Sequence, residues 1–555
     1  MGEFGWIDYT VFGALLVVSA GIGVGTCKDQ SKSANQFLTA GGKMGCIPVA
    51  LSMLASFLSS ITLIGQPAEV YLYGGQQWLF GMATFFIIPI VGYIIVPFFR
   101  GKNYCSAYQY FGERFDRRLQ TLASILFTFQ MIVYLALVLY APALAMNQVT
   151  GLNTMLVVSI MYGVCIFYTT IGGMRGVVWI DSFQIIVLFV AMFAVLLKGT
   201  IDIGGVSVIW ERSKEFNRTN FFNFSFDMTE RYTFWSSFVG SGFLHMSIYG
   251  GNQLQIQRFL TVSSVKEARK MLWLNTIGWT LVVFMCVYAG LLIFASYCYC
   301  DPLLTNRIST PDQLFPLYVM ETLKIYPGFP GLFLCGIFSA GLSTVSTGVN
   351  SLAAIWFAEL DGTEFKKNLS ESKSGLVVKL MALGFGILSY ITVFAVPYMG
   401  GLVELGVSLT STLTGSLLGI FLLGIRFPKA NAMGATVGLV VSVVFLSWIA
   451  LGESYSRSLG LKVHPPLPSS VRDCAEPVHI NPVENQEEAF VLYRISYTWY
   501  CMFAVFITLI LGNVVSYIYA AIKKPEEEVK PNQEINASNL LLNERELKPV
   551  VWAKV

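Results

Sequence analysis

Along Phe338 to Ser351, FSAGLSTVSTGVNS, hydroxyl and amide side chains recur inside a long apolar run that begins near Gly328. On a helix of 3.6 residues per turn, Ser339, Ser343, Ser346, Thr347 and Asn350 stand at i, i+4, i+7, i+8 and i+11 and form one polar stripe. Thr344 and Ser351 widen its edge. A row of neutral oxygens at membrane depth suits a small hard cation such as Na+. It suits close helix packing as well, because small hydroxyl residues are enriched where membrane helices meet and can bond their own i−4 carbonyls. Spacing alone favours packing.

Two other stretches carry polar groups at interruptions. VALSMLASFLSSITLIGQPAEVYLYGG combines Ser56, Ser59, Ser60 and Thr62 with Gly65-Gln66-Pro67, and Pro67 predicts a kink or unwinding near residues 58–65. Carbonyls freed at membrane depth are tolerable only where they line a cavity or meet an ion. The stretch TFWSSFVGSGFLHMSIYGGNQLQIQRFL is interrupted at Gly250-Gly251-Asn252, flanked by His245, Tyr249 and Arg258. Three single residues have simple local explanations. Asp181 reads as an N-cap with Gln184 three residues on, His245 as a hydrogen-bonded core histidine, and Arg258 as a side chain snorkelling to the interface.

The elements that hold these groups follow from hydropathy. Of 555 residues, 55% are hydrophobic and 12% charged, the composition of an all-α polytopic membrane protein. Thirteen apolar runs are long enough to span, near 8–28, 47–74, 77–99, 119–147, 153–172, 178–200, 234–260, 271–296, 328–358, 376–397, 399–425, 431–452 and 494–523. Lys and Arg cluster in alternate loops, for example Arg100, Lys102, Arg114, Arg117 and Arg118 after the third run. The positive-inside rule therefore sets the N-terminus outside and the C-terminus in the cytosol. The long loops 201–233, 297–327 and 453–493 then lie outside. The first holds glycosylation sequons at Asn217 and Asn223, whereas those at Asn368 and Asn536 fall inside. Cys298, Cys300 and Cys474 all lie in outside loops, which leaves room for one disulfide, its pairing open.

The two interrupted spans lie five apart, so spans 2–6 and 7–11 form two five-helix units running in opposite senses. Broken helices at corresponding positions of inverted halves point to a transporter's central site. The expected division is 1–46 for the N-terminus, a peripheral helix and a cytosolic loop, 47–200 for the first repeat and 201–233 for an outside loop. The second repeat follows over 234–425, peripheral spans over 426–523 and a charged, disordered tail over 524–555. Net charge +3 without a basic tract argues against nucleic acid. No phosphate-binding GxxxxGK[ST] loop, HExxH or GxSxG is present, so neither ATP-driven pumping nor an enzyme is indicated.

The segments LASFLSSITLIGQPAEVY, LVLYAPALAMNQVTG, GGMRGVVWIDSFQ, SIYGGNQLQIQR, CDPLLTNRISTPDQLFP and GLFLCGIFSAGLSTVSTGVNSLAA resemble the solute:sodium symporter family. The likeness is to its animal branch of monocarboxylate, multivitamin and iodide carriers and runs from the first span to about 523. It implies a LeuT-like 5+5 inverted-repeat core in the plasma membrane, with Na+ as coupling ion. By motif position, the carbonyls of Ala55, Leu58 and Ala340 and the hydroxyls of Ser343 and Thr344 would hold one sodium. Ser343, Ser346, Thr347 and Asp181 would hold a second, so the resemblance reads the stripe as an ion site rather than packing. Thr62 matches the monocarboxylate type, whereas His245 and Gln66 depart from it. Thr62, Gln66, His245 and Tyr249 are the expected pocket for a small anionic solute. A carrier for vitamins, iodide or another solute, and a sodium-dependent sensor or leak channel on the same scaffold, are the alternatives. Membrane lipid is the other expected partner; the sequence names no protein partner.

Overall fold

The computed structural model describes residues 4–26, 33–102, 104–323, 325–398, 402–474 and 487–523. The tail 524–555, with Asn536, lies outside them, as does part of the first cytosolic loop. The principal helices are α1 (Trp6–Thr26), α2 (Cys46–Phe57), α3 (Ser60–Tyr73), α4 (Gly75–Lys102), α5 (Arg117–Thr150) and α6 (Thr154–Asp202). After a loop come α7 (Ser241–Gly251), α8 (Gln253–Phe259), α9 (Val265–Tyr297), α10 (Phe329–Glu359) and α11 (Glu371–Val393). The chain then forms α12 (Leu402–Arg426), α13 (Ala432–Ser458) and α14 (Tyr500–Ile522). Sequence chemistry marks several starts. Asp116 accepts from Leu119 N at 2.7 Å, Asn431 from Gly434 N at 2.9 Å, and Ser264 from Glu267 N at 3.2 Å, each a side chain satisfying an orphan N–H of a first turn.

Ten helices among the described residues are long and apolar enough to cross a membrane, and α2 with α3, bent by 58°, makes an eleventh. The expected thirteen runs are not all separate helices of that kind. Runs five and six lie within the 49-residue α6, which turns at Gly173, a residue at φ 55° that is strained for any side chain with a Cβ. Run seven is α7 and α8, each too short to qualify alone.

The centre of the bundle is α10, buried nearly all round and packed between α6 and α5. Its N-terminus is held by α1, where the Asp8 carboxylate accepts from Gly328 N at 2.9 Å and Gly331 N at 3.0 Å. A Cβ on Gly331 would stand 2.5 Å from the Asp8 carbonyl oxygen, so only glycine permits this approach.

One face of the bundle is roofed by the loops that follow α6, α9 and α13. Cys300 and Cys474 are disulfide-bonded there, and Cys298 is free and buried. Asp301 N donates to Ser470 O at 3.0 Å and Leu467 N to Leu72 O at 2.8 Å, tying this roof to the end of α3.

Candidate functional site

The break between α2 and α3 is confined to Leu58 and Ser59, both extended (φ −79°, ψ 101° and φ −87°, ψ 158°). It falls inside the expected interval, yet Pro67 is not its cause. Pro67 lies within α3, while the turn itself is made by Ser59, whose hydroxyl accepts from Thr62 N at 3.2 Å and restarts the helix. The end of α2 leaves the carbonyls of its last turn, Ala55 among them, and that of Leu58 without a helical partner. The second interruption is at Asn252 (φ −94°, ψ 128°), where the side chain caps α8 by accepting from Leu254 N at 3.0 Å. Gly250 and Gly251 remain helical.

The stripe on α10 is wholly buried and faces these breaks. Ser343 and Ser56 share a hydrogen bond of 3.0 Å, and Thr347 and Ser56 one of 2.9 Å. Thr344 donates to Ala340 O at 2.9 Å and Ser346 to Ser343 O at 3.0 Å. These bonds within α10 are the packing pattern, but each spends only the hydroxyl proton and leaves oxygen lone pairs available to a cation. Ser339 Oγ and both polar atoms of the Asn350 amide lack a hydrogen-bond partner among the described residues.

Asp181 does not cap a helix. It lies in the interior of α6, fully buried, because the turn that precedes it is at Gly173. Its Oδ2 accepts from Ser52 Oγ at 2.6 Å, and Ser56 Oγ stands 3.4 Å away. Its Oδ1 has no partner among the described residues. Arg258 does not snorkel either. It is fully buried, and its Nη2 reaches Asp181 Oδ2 at 3.3 Å, Thr347 Oγ1 at 2.8 Å and Ser56 Oγ. The local reading failed for both residues because each has its partner 77 positions away, across three helices.

A cavity of about 160 Å³ lies beside the α2–α3 break. Thr62, Gln66 and His245 line it with Phe57, Trp279 and Gln255. His245 Nδ1 is 2.6 Å from Ser241 O and its ring stacks on Phe57. It is therefore both a hydrogen-bonded core histidine and a cavity wall. Tyr249 is not among the described residues lining this cavity. It is buried behind Phe57, stacked at 5.2 Å, with its hydroxyl donating to Asn275 at 2.5 Å. Toward the roofed face the cavity meets Glu69, Gln77 and Tyr497. There Arg231 pairs with Glu69 through Nη2–Oε1 at 2.7 Å and Nε–Oε2 at 3.3 Å. Tyr232 donates to Glu69 Oε2 at 2.6 Å, so a buried ion pair and a tyrosine stand at that end. The only sequence signal for this pair was a carboxylate, Glu69, inside an apolar run.

Residues 37–442 match the model of the sodium:solute symporter family. The chain is 38% identical to sodium-coupled monocarboxylate transporter 2 of Danio rerio, over 81% of this chain and 73% of that relative. The chain belongs to the sodium:solute symporter family. A putative sodium-dependent multivitamin transporter of Drosophila melanogaster is 35% identical over 94% of this chain and 88% of its own length. Sodium-coupled monocarboxylate transporter 1 of Homo sapiens is 36% identical over 84% and 76%. The fold is similar to a solved Na+-coupled sialic acid symporter, with TM-score 0.76 and 23% identity over 93% of this chain and 98% of that one. As a sodium:solute symporter with this LeuT-like architecture, the chain is a multi-pass membrane transporter for a small solute, coupled to Na+.

Proposed function

We propose that this symporter imports a small organic anion, a monocarboxylate, across the plasma membrane by alternating access between two inverted repeats, 47–200 and 234–425. The observation that carries the reading is the break at Leu58–Ser59 set against the hydroxyl row of α10. The carbonyls of Ala55, Leu58 and Ala340 with the hydroxyls of Ser343 and Thr344 form the first sodium site. Five neutral oxygens are the donor type a hard monovalent cation takes. A second site draws on Ser343, Ser346, Thr347 and Asp181, and the unpartnered Oδ1 of Asp181 suits a cation there.

The solute occupies the cavity of Thr62, Gln66 and His245. Ile61 and Thr62 bring the N-terminus of α3 to its wall, and the first N–H groups and helix dipole favour a carboxylate without a basic side chain. The roofed face is extracellular, with the N-terminus outside, the C-terminus in the cytosol and lipid around the bundle. Asn217 there is exposed and takes a glycan. Each sodium moving down about −60 mV and about a tenfold gradient supplies roughly 1.4 plus 1.4 kcal/mol. Two therefore support accumulation of a neutral solute on the order of 10⁴-fold.

The test is tracer uptake and whole-cell current for pyruvate, lactate, butyrate, biotin and iodide, with sodium then replaced by choline. Sodium-dependent accumulation of the short carboxylates above equilibrium is the expected result. Accumulation of biotin or iodide alone would reject the monocarboxylate assignment, and equilibration without accumulation would reject symport.

A further inference from the structure

We infer that Arg258 is a tethered counter-cation for the second sodium site: its guanidinium neutralises Asp181 once sodium has left and so lets the unloaded carrier return. The inference rests on the proposed reading of that site. Its basis is geometric. Nη2 lies within hydrogen-bond reach of Asp181 Oδ2 (3.3 Å) and Thr347 Oγ1 (2.8 Å), two residues of the proposed second site, and also bonds Ser56, which links Ser343 to Thr347. Two cations cannot share that small set of oxygens, so guanidinium and sodium exclude one another.

The structure also shows how the exchange is built. Nη1 donates to Leu254 O at 3.0 Å, and Nε donates to Ser52 Oγ at 3.2 Å. Neither acceptor belongs to the ion site. Pivoting on these two anchors, the planar guanidinium can tilt Nη2 toward or away from the ion site. Arg258 rides on α8, the seven-residue segment that restarts after the extended Asn252, so the arm sits next to one of the two interruptions in the core. The same structure has Glu69, Arg231 and Tyr232 closing the roofed end of the cavity. With that end closed, ions would discharge to the opposite side, and a buried Asp181 stripped of sodium would be an uncompensated charge. Arg258 removes that penalty.

A carrier lacking the arm should still shuttle while loaded but stall when empty. Pyruvate–pyruvate exchange at saturating sodium on both sides reports the loaded crossing, and net pyruvate uptake into sodium-free vesicles requires the empty return. For Arg258→Gln, exchange should stay within about twofold while net uptake falls about tenfold or more. The double variant Asp181→Asn/Arg258→Gln removes both charges. It should raise net uptake several-fold above Arg258→Gln, with the Hill slope for sodium falling from near two to near one.

A second readout needs no organic solute: sodium-dependent thermal stabilisation of the purified protein. With the tethered competitor gone, Arg258→Gln should reach half-effect at about tenfold lower sodium or less. Equal loss of exchange and net uptake in Arg258→Gln would overturn the inference, as would an unchanged sodium midpoint or a double variant no better than the single. Should Arg258→Gln not reach the cell surface, the sodium midpoint of the purified variant decides, a fall of about tenfold supporting the counter-cation role and an unchanged midpoint overturning it. Wild-type protein that binds sodium with the predicted shift in Arg258→Gln, yet moves no pyruvate, would overturn the substrate assignment and leave this inference standing.

Discussion

Glu69→Gln tests whether the ion pair at the roofed end of the cavity holds the carrier shut. Glu69 and Arg231 are both buried and meet through two charge-assisted hydrogen bonds, at 2.7 and 3.3 Å, with Tyr232 as a third donor. Removing one partner of a buried pair ordinarily costs about 3–5 kcal/mol, most of it from stranding the other charge. Here Arg231 would not be stranded fully. The Glu453 carboxylate stays 3.8 Å from its Nη1, and the guanidinium lies 4.6 Å from the Tyr497 ring centre. A smaller cost of about 2 kcal/mol, below that range, is therefore the better expectation, a shift of roughly 30-fold toward the open state. The assay is the rate at which a membrane-impermeant thiol reagent, added outside, labels a Gln66→Cys reporter in the cavity, corrected for the protein without the reporter. Glu69→Gln should accelerate labelling by tens of fold, up to saturation. An unchanged or slower rate would mean the pair is not what keeps the external path closed.

Four further outcomes are expected. Thr344→Ala removes one oxygen of the proposed first sodium site and should raise the half-saturating sodium for uptake about tenfold or more, with little effect on protein abundance. His464, in the roof loop, is pushed down to about 3 by burial and by the neighbouring Arg231 and Arg457, while Glu453 at 3.8 Å is engaged by those arginines and does not offset them. The unfolded chain takes its proton near the ordinary 6.5, so stability is full above that pH and is lost as pH falls from 6.5 toward 3, by about 2 kcal/mol at pH 5. His464→Gln should flatten that slope in a pH series of thermal melts. Cys300→Ser should lower stability by about 2–4 kcal/mol, seen as a reduced melting temperature that reductant no longer affects, because the bridge joins loops 174 residues apart. Asn217→Gln should remove a glycan on gels, whereas Asn223→Gln should not, since the half-buried Asn223 amide already donates to Glu230 at 2.5 Å.

The sequence made the scaffold legible where structure is local. Hydropathy located the spans, Asn252 and the Leu58–Ser59 neighbourhood announced the breaks, and helical spacing gathered Ser343, Ser346 and Thr347 on the buried face of α10. Reasoning from neighbours failed where partners are distant. Asp181 and Gln184 match a capping pair, but the glycine turn lies eight residues earlier and the carboxylate is already inside the bundle. Arg258 follows an apolar stretch as a snorkelling residue would, but the turn after Asn252 directs it inward to Asp181. Pro67 drew attention as a helix breaker, yet α3 continues through it while two residues without proline make the bend. Tyr249 belongs to the support of Phe57, a role no spacing rule could separate from lining the cavity.

The proposed ion donors of α2 and the Glu69–Arg231 pair lie on opposite sides of one hinge, and that arrangement would give sodium a physical route to the solute path. Ala55 lies in the last turn of α2 and Glu69 is carried by α3, with only Leu58 and Ser59 between the two helices. Carbonyls of α2 and of Leu58 can meet a sodium only while α2, the hinge and α10 hold one relative placement. A change in the 58° bend alters that placement and also moves Glu69 relative to Arg231, which is anchored in the loop before α7. Sodium binding and closure thus draw on the same bend, so each must bias the other by one shared free energy. The reciprocity can be measured. If Glu69→Gln favours the open state about 30-fold, external sodium affinity must change in the same variant, and Thr344→Ala must change labelling of the Gln66→Cys reporter in sodium. Independence of the two would mean that hinge and closing pair move separately, and the coupling would have to run through α8 and Arg258 instead.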